Sequence, residues 1–120
     1  MKAALREVMV LGEGAGELVG ADVRSGAAEH PVCGDVIEVD CRVAEGRIQK
    51  LAWRAQGCPA TMAVAASASG ALLGRRVQDA PGLLSQRLQQ LGGLDPEEHH
   101  AERLFLLALS RAAADSAAAT

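Results

Sequence analysis

The sequence predicts an α+β fold, a small antiparallel β-sheet of about three strands packed against three to four helices. Three observations carry it. From Ile37 to Val43, apolar Ile37, Val39, Cys41 and Val43 alternate with Glu38, Asp40 and Arg42, the period of two of a half-buried strand. The run ATMAVAASASGALL that follows Pro59 is rich in small residues on nearly every side, which implies a helix buried against other elements. Strands precede helices instead of alternating with them, which argues against a wound parallel sheet.

Taken in order, residues 1–11 predict a short amphipathic helix with Ala4, Val8 and Leu11 on one side. Glycines at 12, 14, 16 and 20 break any regular element, so residues 1–16 read as a flexible or short helical approach. Ala21 to Ala28 is a weak edge-strand candidate. Ala44-Glu45-Gly46-Arg47 is a tight turn whose glycine supplies the positive φ that hairpins need. Ile48 to Ala55 returns as a second strand with Leu51, Trp53 and Ala55 on one face. Gly57-Cys58-Pro59 then ends that strand and opens a helix, proline being tolerated at the first helical position. This helix runs from about Pro59 to Leu73 and stops at Gly74. A second helix runs from Val77 or Pro81 to Leu91, ended by Gly92-Gly93. A third starts near Pro96, with Asp95 as N-cap and Glu97 and Glu98 complementing the helix dipole. Its apolar stripe includes Leu104, Leu107 and Leu109 alongside Phe105 and Leu106, and residues 113–120 are expected to fray.

At 120 residues the chain reads as one domain, long enough for a core without disulfides or an obligatory metal. Hydrophobic residues make up 49% and aromatics only 2%, so the core must be aliphatic and alanine-rich. The net charge is −3 with no basic run, which excludes the electrostatic footprint of a nucleic-acid binder. No apolar stretch approaches the roughly 20 residues needed to span a bilayer, and residues 1–10 lack the pattern of a signal peptide. Three cysteines, an odd number, do not make a disulfide framework. The expectation is a soluble cytoplasmic protein with reduced thiols and no nucleic-acid or membrane partner.

Two short runs carry chemistry: Pro31-Val32-Cys33-Gly34-Asp35 and Gly57-Cys58-Pro59. Cys58 sits where a helix begins, and there the dipole and unpaired amide N–H groups favour thiolate. Thiolate is the form that binds zinc or iron and attacks a persulfide sulfur. Cys33 and Asp35 form a Cys-x-Asp pair, which offers one soft and one hard ligand to an ion. Two thiols and a carboxylate on loops at one end of a sheet suit a soft metal or sulfur, and stand one donor short of a closed tetrahedral site. On spacing alone, Cys33 and Cys58 read equally well as small buried residues, and Asp35 as a turn cap. Cys41 reads as core. His99 and His100, beside Glu97 and Glu98, read as a solvated helix face, and His30 as a loop residue. No Cys–His–Asx arrangement is visible along the chain, so a thiol enzyme ranks last.

The stretch HPVCGDVIEVDCRVAEGRIQKLAWRAQGCPATMAVAASAS closely resembles the NifU/IscU-type iron–sulfur cluster assembly scaffold family, over roughly residues 17–112. In that family a P-x-CGD motif leads a strand hairpin, and a glycine–cysteine pair opens a helix rich in Ala and Ser. The resemblance implies that Cys33, Asp35 and Cys58 are ligands for a zinc ion (Zn2+) or a transient [2Fe-2S] cluster. It also implies sulfur delivery by a cysteine desulfurase, recipient apo iron–sulfur proteins as partners, a monomer or weak homo-oligomer, and a platform instead of an enzyme. The family's third ligand cysteine, at the start of the last helix, is missing: the region reads EEHHAERLFLL. Its Leu-Pro-Pro-Val-Lys chaperone segment is replaced by Gly92-Gly93-Leu94-Asp95-Pro96, and its N-terminal Asn-Pro motif is absent. Imidazole is a competent zinc ligand and replaces thiolate on iron in Rieske centres. His100 is the chosen stand-in, because the family often carries a histidine just before that cysteine. The expected function is a scaffold or carrier using Cys33, Asp35, Cys58 and His100. The alternatives are a zinc-binding module of the same fold without assembly activity, and a persulfide relay through Cys58.

Overall fold

The computed structural model of the chain describes residues 1–118, with side chains to residue 114. The alternating stretch lies in the strand Val36–Ala44 (β2), between Arg24–Glu29 (β1) and Arg47–Gln56 (β3). The sheet runs β1-β2-β3 and both pairings are antiparallel. Glu45 and Gly46, with φ of 55° and 74°, form the two-residue loop of the β2–β3 hairpin, a backbone twist that matches the flanking strands. A bulge between Arg42 and Val43 shifts the register beyond it. Ile48 and Leu51, three residues apart, therefore both face the core. Ile37, Val39 and Cys41 line the same face of β2, all fully buried.

Four α-helices complete the α+β fold: Ala3–Leu11 (α1), Pro59–Leu72 (α2), Ala80–Gln90 (α3) and His99–Ala118 (α4). Single 3₁₀ turns at Val77–Asp79 and Pro96–Glu98 lead into α3 and α4. Helix α2 is buried on most of its circumference, its alanines and serines letting α1, α3, α4 and β3 approach closely. Helix α4 lies across β1 and β2. Its start is fixed by Glu98, whose Oε1 accepts the Asp95 amide proton at 2.9 Å, the reciprocal half of a capping box. Among the described residues no helix is long and apolar enough to cross a membrane.

Three expectations are corrected. The glycine-rich segment after α1 is not a loose approach but a strap fastened along β3. Ala15 bridges Trp53, the Trp53 amide donates to the Gly14 carbonyl at 3.0 Å, and the Gly16 amide donates to the Trp53 carbonyl at 2.9 Å. Trp53 Nε1 donates to the Glu13 carbonyl at 2.8 Å, and the Leu18 amide donates to Asp40 Oδ2 at 3.0 Å. An edge strand leaves backbone groups that need partners, and the strap supplies them. In α1 the buried residue is Leu5, with Val8 and Met9 packed beside it, whereas Ala4 and Leu11 are exposed. In α4 the inward stripe is Leu104, Phe105, Ala108, Leu109 and Ala112, while Leu107 is 44% exposed. The helix continues to Ala118. The fraying expected of residues 119–120 lies outside the described residues.

Candidate metal centre

Asp35 immediately precedes β2, and Cys58 lies two residues after β3. Because Val36 pairs with Gln56 across the antiparallel hairpin, both arrive at the same end of the sheet. Helix α2 begins there with Cys58 as its N-cap and Pro59 inside its first turn. The first turn of α4 reaches the same place and brings His100. One donor atom from each of Asp35, Cys58 and His100 lies within 4.8 Å of the others. Tetrahedral zinc with bonds of roughly 2.0–2.3 Å places donors about 3–4 Å apart, so a shift on the order of 1 Å closes the trio on one ion.

Asp35 is the centre's fixed point, 1% exposed although charged. Its Oδ1 accepts the Cys58 amide proton at 2.9 Å. Its Oδ2 accepts from the Thr61 hydroxyl and faces His100 Nε2, each at 3.1 Å. Burial pushes the Asp35 carboxyl up, but the Cys58 amide, the His100 ring and the Thr61 hydroxyl together hold it below the usual carboxylate range. Gly57 makes room for this carboxylate. Its φ is +116°, and a Cβ there would collide with the Asp35 side chain and backbone. The other ring nitrogen of His100, Nδ1, faces the Glu97 carbonyl at 2.9 Å. Both neighbours of the ring are acceptors, so both contacts are donated when the ring carries two protons.

Cys33 stands apart from the trio. It is exposed on the turn between β1 and β2, and its amide donates to His30 Nδ1 at 3.1 Å. The Gly34 amide closes the same turn on the His30 carbonyl at 2.8 Å. His30 itself is half-buried, its ring centroid 4.9 Å from that of His100 at an interplanar angle of 61°. His99 is exposed and outside the trio. Cys41 lies in the core, as its place in the strand predicts. Sequence reasoning passed over Thr61, whose place three residues after Cys58, in the first turn of α2, was the available signal. Of the expected set Cys33, Asp35, Cys58 and His100, the structure brings the last three together, although 65 residues separate Asp35 from His100.

The family described as NifU-like N terminal domain matches residues 12–119. The chain belongs to that family. Two Archaeoglobus fulgidus proteins, named iron-sulfur cluster assembly scaffold protein IscU 1 and IscU 2, are each 30% identical to it over 91 residues. That stretch covers 75% of this chain but 60% of either relative, so the chain spans about three-fifths of their length. Among solved structures, a putative iron-sulfur cluster assembly scaffold protein for the SUF system from Fervidobacterium islandicum superposes with a TM-score of 0.68 at 15% identity. That alignment covers 95% of this chain and 94% of the other. The N-terminal part of a NifU-like protein from Brucella abortus superposes with a TM-score of 0.61 at 17% identity, covering 95% and 78%. Both share the fold, and the NifU-like assignment agrees with the P-x-CGD and glycine–cysteine runs from which the family was expected.

The residues at the centre fit a zinc ion. Thiolate, imidazole and carboxylate are all zinc ligand types. A buried carboxylate already ordered by three hydrogen bonds needs little rearrangement to hold a cation. When bound, zinc supplies a fixed Lewis-acidic point that keeps the loops together and the Cys58 sulfur deprotonated.

Proposed function

We propose that this NifU-like domain is a scaffold or carrier on which a labile [2Fe-2S] cluster is assembled and passed on. The ligands are Cys33, Asp35, Cys58 and His100. The observation that carries the reading is the convergence of Asp35, Cys58 and His100 at one end of the sheet, in a chain of this family. The turn bearing Cys33 adjoins them and has Gly34 at its apex, at φ +72°. Sulfur comes from a cysteine desulfurase, and the cluster, as cargo, leaves to recipient apo iron–sulfur proteins. A ligand set with one carboxylate and one imidazole holds iron less firmly than four thiolates, which suits release. The domain is a platform and not an enzyme, at work where thiols stay reduced, as in cytoplasm.

Anaerobic reconstitution with ferrous iron and sulfide tests this. The expected product is coloured and oxygen-sensitive, with iron and acid-labile sulfide in equal amounts, and the Cys58→Ser variant fails to form it. Colourless, iron-free wild-type protein overturns the reading.

A second reading, a zinc module of the same fold without assembly activity, is favoured by the harder donors Asp35 and His100 at the centre. Stoichiometric zinc in a protein that never takes up iron and sulfide supports it. The grouping of Cys58 with His100 and Asp35 also gives the persulfide relay a base beside its nucleophile. A mass gain of one sulfur on Cys58 after desulfurase treatment, without metal, distinguishes it.

A further inference from the structure

The sheet's outer face divides into two electrostatic halves. Toward the metal centre its charges cancel, because Arg54 donates to Asp40 at 2.8 Å and to Glu38 at 2.9 Å. Toward the β2–β3 hairpin they do not. Arg42 and Lys50 are cross-strand partners there, on the face opposite the buried Cys41–Leu51 pair. Residues 74–77 run antiparallel beside the start of β3, and Arg76 lies directly opposite Arg47. The Val77 amide donates to the Gly46 carbonyl at 3.1 Å, and the Ile48 amide to the Arg75 carbonyl at 2.9 Å. Those two bonds bracket Arg47 and Arg76 as a non-hydrogen-bonded pair, the kind whose side chains come closest, with Cα atoms about 4.5 Å apart. Ile48 is buried in the core, so Arg47 and its partner Arg76 face outward with Arg42 and Lys50.

Two like-charged pairs on one face cost the fold stability, since like charges directly opposite repel. One of the four cations is answered: Asp22 Oδ2 takes Arg42 Nε at 2.6 Å. The Arg47 guanidinium donates to the Gly74 carbonyl at 3.1 Å. Arg47, Lys50 and Arg76 are exposed, and among the described residues no carboxylate lies within ion-pair reach of them. In a chain of net charge −3, these unanswered cations are a place for an anion from outside. We propose that the patch of Arg42, Arg47, Lys50 and Arg76 docks an acidic surface segment of a partner protein. Nucleic acid fits less well, because its backbone needs a longer track of cations and no basic run extends this one. Carboxylates in a short cluster suit the arginine forks. The nine residues of β2 separate the hairpin from Asp35, roughly 30 Å at about 3.3 Å per residue. A partner held at the hairpin therefore leaves the metal centre open to a second one. The patch shares no residue with the centre, so docking does not depend on metal.

Fluorescence anisotropy of a labelled oligoglutamate peptide at low salt measures docking by the full chain, beside an oligoglutamine peptide of the same length. The Lys50→Gln/Arg76→Gln variant removes two cations of the patch and keeps the Arg47 bond to Gly74. An Arg6→Gln/Arg103→Gln variant removes the same charge from exposed positions elsewhere. Wild type is expected to bind oligoglutamate and not oligoglutamine. The patch variant should bind roughly 3–30-fold more weakly, the strength of two exposed ion pairs, and the control variant as wild type does. Relief of the repulsion should also raise the urea midpoint of the patch variant above that of wild type at low salt. A wild type that does not bind oligoglutamate, or equal weakening in the two variants, overturns the proposal. So does tighter binding to a DNA duplex or to vesicles of phosphatidylcholine and phosphatidylglycerol. A patch variant less stable than wild type assigns these cations to the fold and overturns it as well.

Discussion

Replacing Gly57 by alanine tests the geometry on which the centre depends, with Gly34 as its control. Both glycines have positive φ, +116° and +72°, but only Gly57 is crowded: a Cβ there meets Asp35, whereas nothing lies within 4 Å of one at Gly34. Gly34→Ala therefore carries only the cost of a left-handed alanine, roughly 1–2 kcal/mol. Gly57→Ala carries strain of roughly 1–3 kcal/mol. It also displaces the Asp35 carboxylate from the Cys58 amide, a charge-assisted bond worth about 1.5–3 kcal/mol. Together these make roughly 2.5–6 kcal/mol. Urea unfolding of metal-free protein gives both values from the midpoints at a common slope. Equal losses in the two variants would refute the claim that Gly57 is required by its contact with Asp35.

Asp40 is buried on the sheet's outer face, where its carboxylate accepts from Arg54 at 2.8 and 3.2 Å, from the Ser25 hydroxyl at 2.7 Å, and from the Leu18 amide. Burial pushes its carboxyl up, but Arg54, Ser25 and Leu18 together hold it below the usual range. A lowered folded value means its stabilisation is complete above the ordinary aspartate value of about 3.9 and is lost as pH falls below it. Asp40→Asn should cost about 1–3 kcal/mol at neutral pH after allowing for the solvent that reaches Arg54, and should flatten the fall in stability below pH ~4. Chemical denaturation as a function of pH measures both, and an unchanged acid limb rejects the assignment. Leu5→Ala tests the inward face of α1. A fully buried leucine loses about 2–5 kcal/mol on truncation, whereas Leu11→Ala, at an 82% exposed position, should be close to neutral in the same melts.

The sheet and α2 were legible because burial on one face, or on nearly all faces, writes a pattern into neighbouring residues: Ile37-Val39-Cys41 in β2, the small residues of α2. The strap was not, because its order comes from Trp53 and Asp40, far along the chain, and its glycines carry only local information. Leu5 was passed over in favour of Leu11 because a nine-residue helix admits two apolar faces, and packing on α2 decides between them. At the centre, Cys58 and Asp35 were readable from their motifs, and His100 from its place near the start of the last helix. The resting place of Cys33, outside the trio, depends on a hydrogen bond to His30 that no spacing announces. Thr61 shows the same limit, since it matters through Asp35, 26 residues away.

The strap running beside Trp53 has a colloidal consequence. A three-stranded sheet has two margins where a stranger's backbone can dock, and this segment covers one of them. At the opposite margin the Arg111 guanidinium takes the Ala27 carbonyl at 2.7 Å. A lateral templating route toward fibres is thus obstructed on the strap's flank, and excising residues 12–18 would reopen it.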